Sequence, residues 1–61
     1  MNPSETQQLI EIVQLRIKQL KQTRQYLIKL KRSTGVLMKN KIIIDQSETL
    51  LDHLQSYLLS L

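Results

Sequence analysis

Three carboxylates in the second half of the chain are the first candidates for chemistry. Asp45, Glu48 and Asp52 are spaced three and four residues apart, so on a helix they share one side. Such a row can coordinate a divalent cation or orient a water molecule. It is more typical of a solvated helix side that pairs with lysines of a neighbouring helix, and we favour that interpretation. We therefore predict no metal site and no cofactor.

His53 is the only histidine, and the chain contains no cysteine. A zinc site built from nitrogen and sulfur ligands needs several such residues, and a catalytic triad needs a nucleophile paired with histidine. Neither arrangement is present in the sequence. The absence of a catalytic constellation favours a non-enzymatic protein.

The charged residues are segregated along the chain. All nine basic residues lie between positions 16 and 41, and the five acidic residues flank that interval on both sides. Five cations surround the only glycine and form what we call the basic tip: Lys29, Lys31, Arg32, Lys39 and Lys41. A cluster of this kind can bind an acidic protein surface or the phosphates of a nucleic acid. Because no known nucleic-acid-binding motif accompanies it, nucleic acid is the less favoured partner.

The elements that must position these residues are two helices. Gly35 is the only glycine and Pro3 the only proline, so no strong helix breaker interrupts the stretches between and after them. Glycine is common just past a helix C-terminus, while Asn2 and Ser4 are both good helix N-caps. These signals predict a single domain over residues 1–61, with a helix at about 3–34, a turn at 35 and a helix at about 36–60.

Apolar residues repeat with helical spacing in both halves. The first stripe consists of Ile10, Val13, Ile17, Leu20, Leu27 and Leu30, and the second half carries three parallel heptad rows that begin at Val36, Leu37 and Asn40. Folding the chain back at Gly35 predicts an all-α antiparallel two-helix hairpin. That pairing brings Leu20 near Leu50, and Arg24 near Ser47 in a polar layer. A continuous helix through Gly35 remains an alternative, because glycine costs only about 1 kcal/mol inside a helix.

The short chain favours self-association. Sixty-one residues without disulfides bury little surface, and a second copy is the remaining source of burial. Several apolar residues lie off the main stripes and predict an oligomer or partner interface: Leu9, Ile12, Leu15, Tyr26 and Ile42. We therefore expect two hairpins to dimerise into a four-helix bundle.

The resulting functional prediction is a small regulatory or structural interaction module. It would form a homodimer and bind another protein, with an acidic surface on that protein as one option. The sequence contains no secretory signal and no apolar run long enough to span a membrane, which predicts a cytoplasmic protein.

The second half also resembles a known family of small helical hairpins. The stretch Gln46-Ser47-Glu48-Thr49-Leu50-Leu51-Asp52-His53-Leu54, followed by Tyr57, is similar to the Ser-Gln-Glu-Leu-Asp region of the stage-zero sporulation E-like aspartyl-phosphate phosphatases. Arg24, Leu27-Ile28 and Gly35 resemble that family's first helix and loop. Ser47 and Asp52 are five residues apart here, where the family's motif spaces them by four. The resemblance implies an alternative function in sporulation control, namely dephosphorylation of a response regulator, with Gln46, Ser47, Glu48 and Asp52 as site residues.

Overall fold

The computed structural model describes residues 2–61, which form two α-helices of equal length. Helix α1 comprises Pro3–Lys29 and helix α2 comprises Thr34–Ser60, each with 27 residues. The helices pack against each other as an antiparallel hairpin whose Cα atoms span 44 Å by 14 Å by 13 Å. The predicted all-α two-helix hairpin is confirmed. Neither helix among the described residues is long and apolar enough to span a lipid bilayer.

Helix α1 begins at the first of the two predicted caps. The Asn2 side chain accepts a hydrogen bond from the backbone N–H of Glu5 at 2.8 Å, and the Asn2 carbonyl accepts one from the N–H of Thr6 at 3.1 Å. Pro3 occupies the first turn, where its missing N–H costs nothing, and Glu5 places a negative charge near the positive end of the helix dipole.

The turn lies earlier than predicted. Helix α1 ends at Lys29 rather than near residue 34, and Lys31 adopts a left-handed backbone conformation with φ of 54°. The N–H of Arg32 bonds the carbonyl of Leu27 at 3.1 Å, and the N–H of Lys31 bonds the carbonyl of Ile28 at 3.0 Å. This is a Schellman motif with lysine at the position that usually holds glycine.

We predict that Lys31→Gly stabilises the hairpin. A left-handed conformation costs an L-residue about 1–2 kcal/mol, and glycine avoids that cost. Part of the benefit is lost because glycine has a larger conformational entropy in the unfolded state. The free energy of unfolding, measured by urea denaturation at fixed protein concentration, should rise by about 0.5–1 kcal/mol. As a control, Lys18→Gly at an exposed position inside α1 should lower it by about 1 kcal/mol. A loss of stability in Lys31→Gly would contradict the assigned turn.

Gly35 belongs to α2 and does not form the turn. Ser33 is the N-cap of α2, and its hydroxyl oxygen accepts a hydrogen bond from the N–H of Val36 at 3.4 Å. Gly35 is therefore the second residue of the helix, and its φ is not positive. Serine is a strong N-cap residue. The start of α2 is therefore set by capping at Ser33 and not by Gly35, which lies two residues later. The prediction of a turn at Gly35 is corrected by this finding.

Gly35→Ala is a second test of the assignment of Gly35 to helix α2. A Cβ added at Gly35 would have its nearest neighbour, the Ser33 hydroxyl oxygen, at 4.0 Å, which is ordinary contact. Because the backbone is already helical, alanine should raise the free energy of unfolding by about 0.5 kcal/mol. Were Gly35 the left-handed turn residue, the same substitution would destabilise the protein by about 1–2 kcal/mol. Thermal unfolding followed by circular dichroism shows whether the substitution raises or lowers the free energy of unfolding.

The new turn position changes the pairing of the helices by nearly two turns. The Asn40 side chain donates to the carbonyl of Leu20 at 3.3 Å, so Leu20 lies within reach of Asn40 and closer to the turn end of α2 than the predicted pairing with Leu50. The residues that are most buried along the contact are three isoleucines and two polar residues: Ile10, Ile17, Ile44, Thr6 and Asn40. Leu30, predicted as part of the α1 stripe, is exposed beside the turn.

Candidate functional site

A polar layer crosses the hairpin near the turn and contains Arg24 as predicted, but its second member is Asn40 rather than Ser47. The guanidinium of Arg24 donates to the carbonyl of Leu37 at 3.1 Å, and the amide of Asn40 donates to the carbonyl of Leu20. The predicted pairing of Arg24 with Ser47 is wrong, because it assumed a turn centred on Gly35. The layer joins each helix to the backbone of the other and therefore fixes their register.

Asn40→Leu is predicted to stabilise the hairpin. Asn40 is only 7% exposed, and its side-chain oxygen is buried without a hydrogen-bond partner. Leucine has a similar shape and removes that unpaired group, so the free energy of unfolding should rise by about 1–2 kcal/mol. Asn40→Ala, which removes the hydrogen bond without adding apolar contact, serves as the control and should not stabilise. Equal effects of the two variants in urea denaturation would contradict this explanation.

One side of the hairpin, which we call the polar face, carries the mostly polar rows that flank the interhelical contact, and its shallow grooves are lined by both polar and apolar side chains. The grooves are lined by Gln7, Gln14, Lys21 and Ile28 of α1 and by Lys41 and Gln55 of α2, among others. Lys21 and Glu48 form an ion pair at 3.4 Å, the only one among residues 2–61. Both side chains are about half exposed, so the pair contributes at most about 1 kcal/mol.

The opposite side, which we call the apolar face, follows from helical geometry. Two residues correspond to about 200° of rotation around a helix, so residues two positions after the polar-face rows point the other way. In α1 these residues are Leu9, Arg16, Thr23 and Leu30, and in α2 they are Val36, Ile43, Leu50 and Tyr57. The α2 row is wholly apolar, yet its side chains are 40–49% exposed. The periodicity of the sequence showed this row, but a hairpin seam can cover only the rows beside it.

The structure leaves every residue of the predicted interface exposed, but not all on one side. Leu9 belongs to the apolar face, and Ile12 and Tyr26 lie next to it around α1. Leu15 and Ile42 lie on the outer sides of α1 and α2, away from the interhelical contact. The interface prediction for these five residues stays a prediction.

The basic tip is positioned by the end of α1, the turn and the first two turns of α2. All five of its cations are exposed: Lys29, Lys31, Arg32, Lys39 and Lys41. Among residues 2–61 no carboxylate lies within ion-pair distance of any of them. The tip therefore presents uncompensated positive charge to solvent.

The residues suggested by the phosphatase resemblance do not converge on one point. Ser47 is half-buried in the interhelical contact, whereas Gln46, Glu48 and Asp52 are exposed. Gln46 and Glu48 are separated by about 200° around α2. Of the four, Glu48 is the one engaged in an ion pair. His53 is exposed, and within residues 2–61 no three histidine or carboxylate side chains group as metal ligands would.

Comparisons with protein-family models, with curated proteins and with solved structures give no match for this chain.

Proposed function

We propose that this chain is a non-enzymatic protein–protein interaction module that forms a homodimeric four-helix bundle through the apolar face. The observation that supports the proposal best is the row Val36, Ile43, Leu50 and Tyr57, which is apolar over three heptads and about half exposed in the single hairpin. Contiguous apolar surface of this kind marks an interaction site in soluble proteins.

The small core of the hairpin supports the same proposal. Only three apolar side chains are less than a tenth exposed, namely Ile10, Ile17 and Ile44. Chains of this length without disulfides or metal usually obtain the missing burial from another chain. A second hairpin on the apolar face would provide it, and four antiparallel neighbouring helices form a well-known bundle arrangement.

Sedimentation analysis over a wide concentration range tests the proposal. We expect a dimer that dissociates on dilution, with helical circular dichroism decreasing at the lowest concentrations. A fully helical monomer at the highest attainable concentration would overturn the proposal. A larger, open-ended series of oligomers would also count against a closed dimer.

A second candidate function is recognition of an acidic protein surface by the basic tip. Its support is the group of five exposed cations, none of which has a carboxylate partner among the described residues. Such a surface accelerates association with anionic partners and loses affinity as salt screens the charges.

Binding of a fluorescent oligo-glutamate peptide tests this candidate, with a DNA duplex as the competing probe. We expect the peptide to bind more tightly at low salt, and Lys39→Gln with Lys41→Gln to weaken its binding several-fold. The matched control replaces Lys18 and Lys21, which lie outside the tip, in the same way. Binding of the duplex alone would favour the nucleic-acid alternative, and absence of binding to both probes would exclude this role for the tip.

A further inference from the structure

We infer that the two hairpins of the dimer lie tip to tail, with a two-fold axis that crosses the centre of the apolar face. This inference rests on the proposed self-association and adds the arrangement of the copies. A face-to-face pair of hairpins has two symmetric choices: the tips lie at the same end, or at opposite ends. The order of residues on the apolar face discriminates between them.

In the tip-to-tail arrangement each helix lies antiparallel to its own counterpart. The α2 row then pairs about its midpoint, between Ile43 and Leu50. Ile43 faces Leu50 of the second copy, and Val36 faces Tyr57 of the second copy. Every contact along α2 is therefore apolar on apolar, which is the composition expected of an interface core.

The α1 row is self-complementary in the same arrangement. Leu9 faces Leu30 of the second copy, so the exposed leucines at the two ends of the row cover each other. Arg16 faces Thr23 of the second copy, and its guanidinium can reach solvent while its aliphatic stem covers apolar surface. No like charges are placed opposite each other.

With the tips at the same end, α1 would instead lie over α2 of the second copy. Arg16 would then face Leu50, and Thr23 would face Ile43, so each polar residue of the α1 row would cover an apolar one. Burying a charged or polar group against an apolar one without a partner costs free energy. The arrangement with the tips at the same end, which we call side-by-side, therefore gives the poorer match between the facing rows.

The charge distribution favours the same choice. Each basic tip carries five exposed cations, whereas Glu5, Glu11 and Asp52 lie toward the open end of the hairpin. Tip-to-tail packing places each basic tip over the acidic open end of the other copy. Side-by-side packing would bring ten cations together, and such like-charge contact disfavours association.

The size of the face suits a dimer. The hairpin measures 44 Å by 14 Å between Cα atoms, which corresponds to roughly 600 Å² of projected face per copy before side chains are counted. Two such faces reach the lower end of the range of about 1,200–2,000 Å² that stable interfaces bury.

Distance measurements on single-cysteine variants test the arrangement. Because the natural chain contains no cysteine, Arg32→Cys gives one unique label at each tip. For spin labels on the dimer, we expect a separation near the 44 Å length of the hairpin. A separation below about 20 Å, roughly twice the spacing of packed helices, would overturn the tip-to-tail arrangement.

A reciprocal pair of labels makes the result independent of a single position. Gln8→Cys places a label near the open end, and mixing it with labelled Arg32→Cys protein should give efficient energy transfer between copies. Little transfer in a sample that sedimentation shows to be dimeric would overturn the arrangement and leave the proposed function intact. A monomer in both experiments would overturn the proposed function itself.

Discussion

Replacing both Ile43 and Leu50 with aspartate is expected to convert the proposed dimer into a monomer. These two residues lie at the centre of the apolar face and are 42% and 49% exposed in the single hairpin. The proposed tip-to-tail dimer would bury four carboxylates around its two-fold axis, and the two Arg16 side chains, the only cations in the rows of the apolar face, can pair with at most half of them. Because unpaired charges are costly to bury, the association constant should fall at least 100-fold, or about 2.8 kcal/mol. Sedimentation at matched concentrations measures the change.

The matched control replaces Met38 and Ile42 with aspartate. These residues belong to the same helix and are 58% and 48% exposed, but they lie on its outer side. The control should remain dimeric, and the comparison separates loss of the interface from a general loss of helix stability. Dissociation of the control, with the apolar-face variant still dimeric, would assign the interface to the outer side of α2, where the sequence placed Ile42.

Ile44→Ala is expected to remove about half or more of the hairpin's free energy of unfolding. Ile44 is 6% exposed and is one of only three apolar residues buried to this degree. Truncation of a buried isoleucine costs about 2–5 kcal/mol, since the cavity left behind adds to the lost burial. A protein of this length has a total stability of about 3–9 kcal/mol by the average per residue. Helical circular dichroism at 25 °C and urea denaturation should show the loss.

Ile42→Ala provides the comparison at the same residue type two positions away. The Ile42 side chain is about half exposed, so folding removes much less of its surface from water. Ile42→Ala should therefore lower the free energy of unfolding by less than about 1 kcal/mol. Since the proposed dimerisation would stabilise the folded state, both variants must be compared at the same protein concentration. Equal costs for the two substitutions would show that α2 is rotated relative to the structure described above.

The helices and their inner sides were predictable from local signals. Asn2 and Pro3 predict the start of α1, and the spacing of Ile10, Ile17 and Ile44 predicts which sides meet. The position of the turn was not predictable in the same way, because a lone glycine such as Gly35 is a strong signal for a helix end in an isolated sequence. Ser33 carries the competing signal, an N-cap, and only the assembled backbone shows that Lys31 accepts the left-handed conformation instead.

The error in the turn explains the errors that followed. A turn at Gly35 shifts the pairing of the helices, so Arg24 was matched with Ser47 and the role of Asn40 was missed. The exposure of the α2 row Val36, Ile43, Leu50 and Tyr57 was missed for a different reason. A heptad pattern shows that Ile43 and Leu50 belong beside a contact, but it does not state how many helices share that contact.

The small hydrophobic core links the steady-state abundance of this protein in a cell to its rate of synthesis. If the hairpin completes its burial only in the proposed dimer, its folded fraction rises with protein concentration. Newly synthesised copies that meet no second copy would spend more time open and would be degraded first by proteases. Steady-state abundance would then respond to synthesis rate with a threshold, and low expression would yield disproportionately little intact protein.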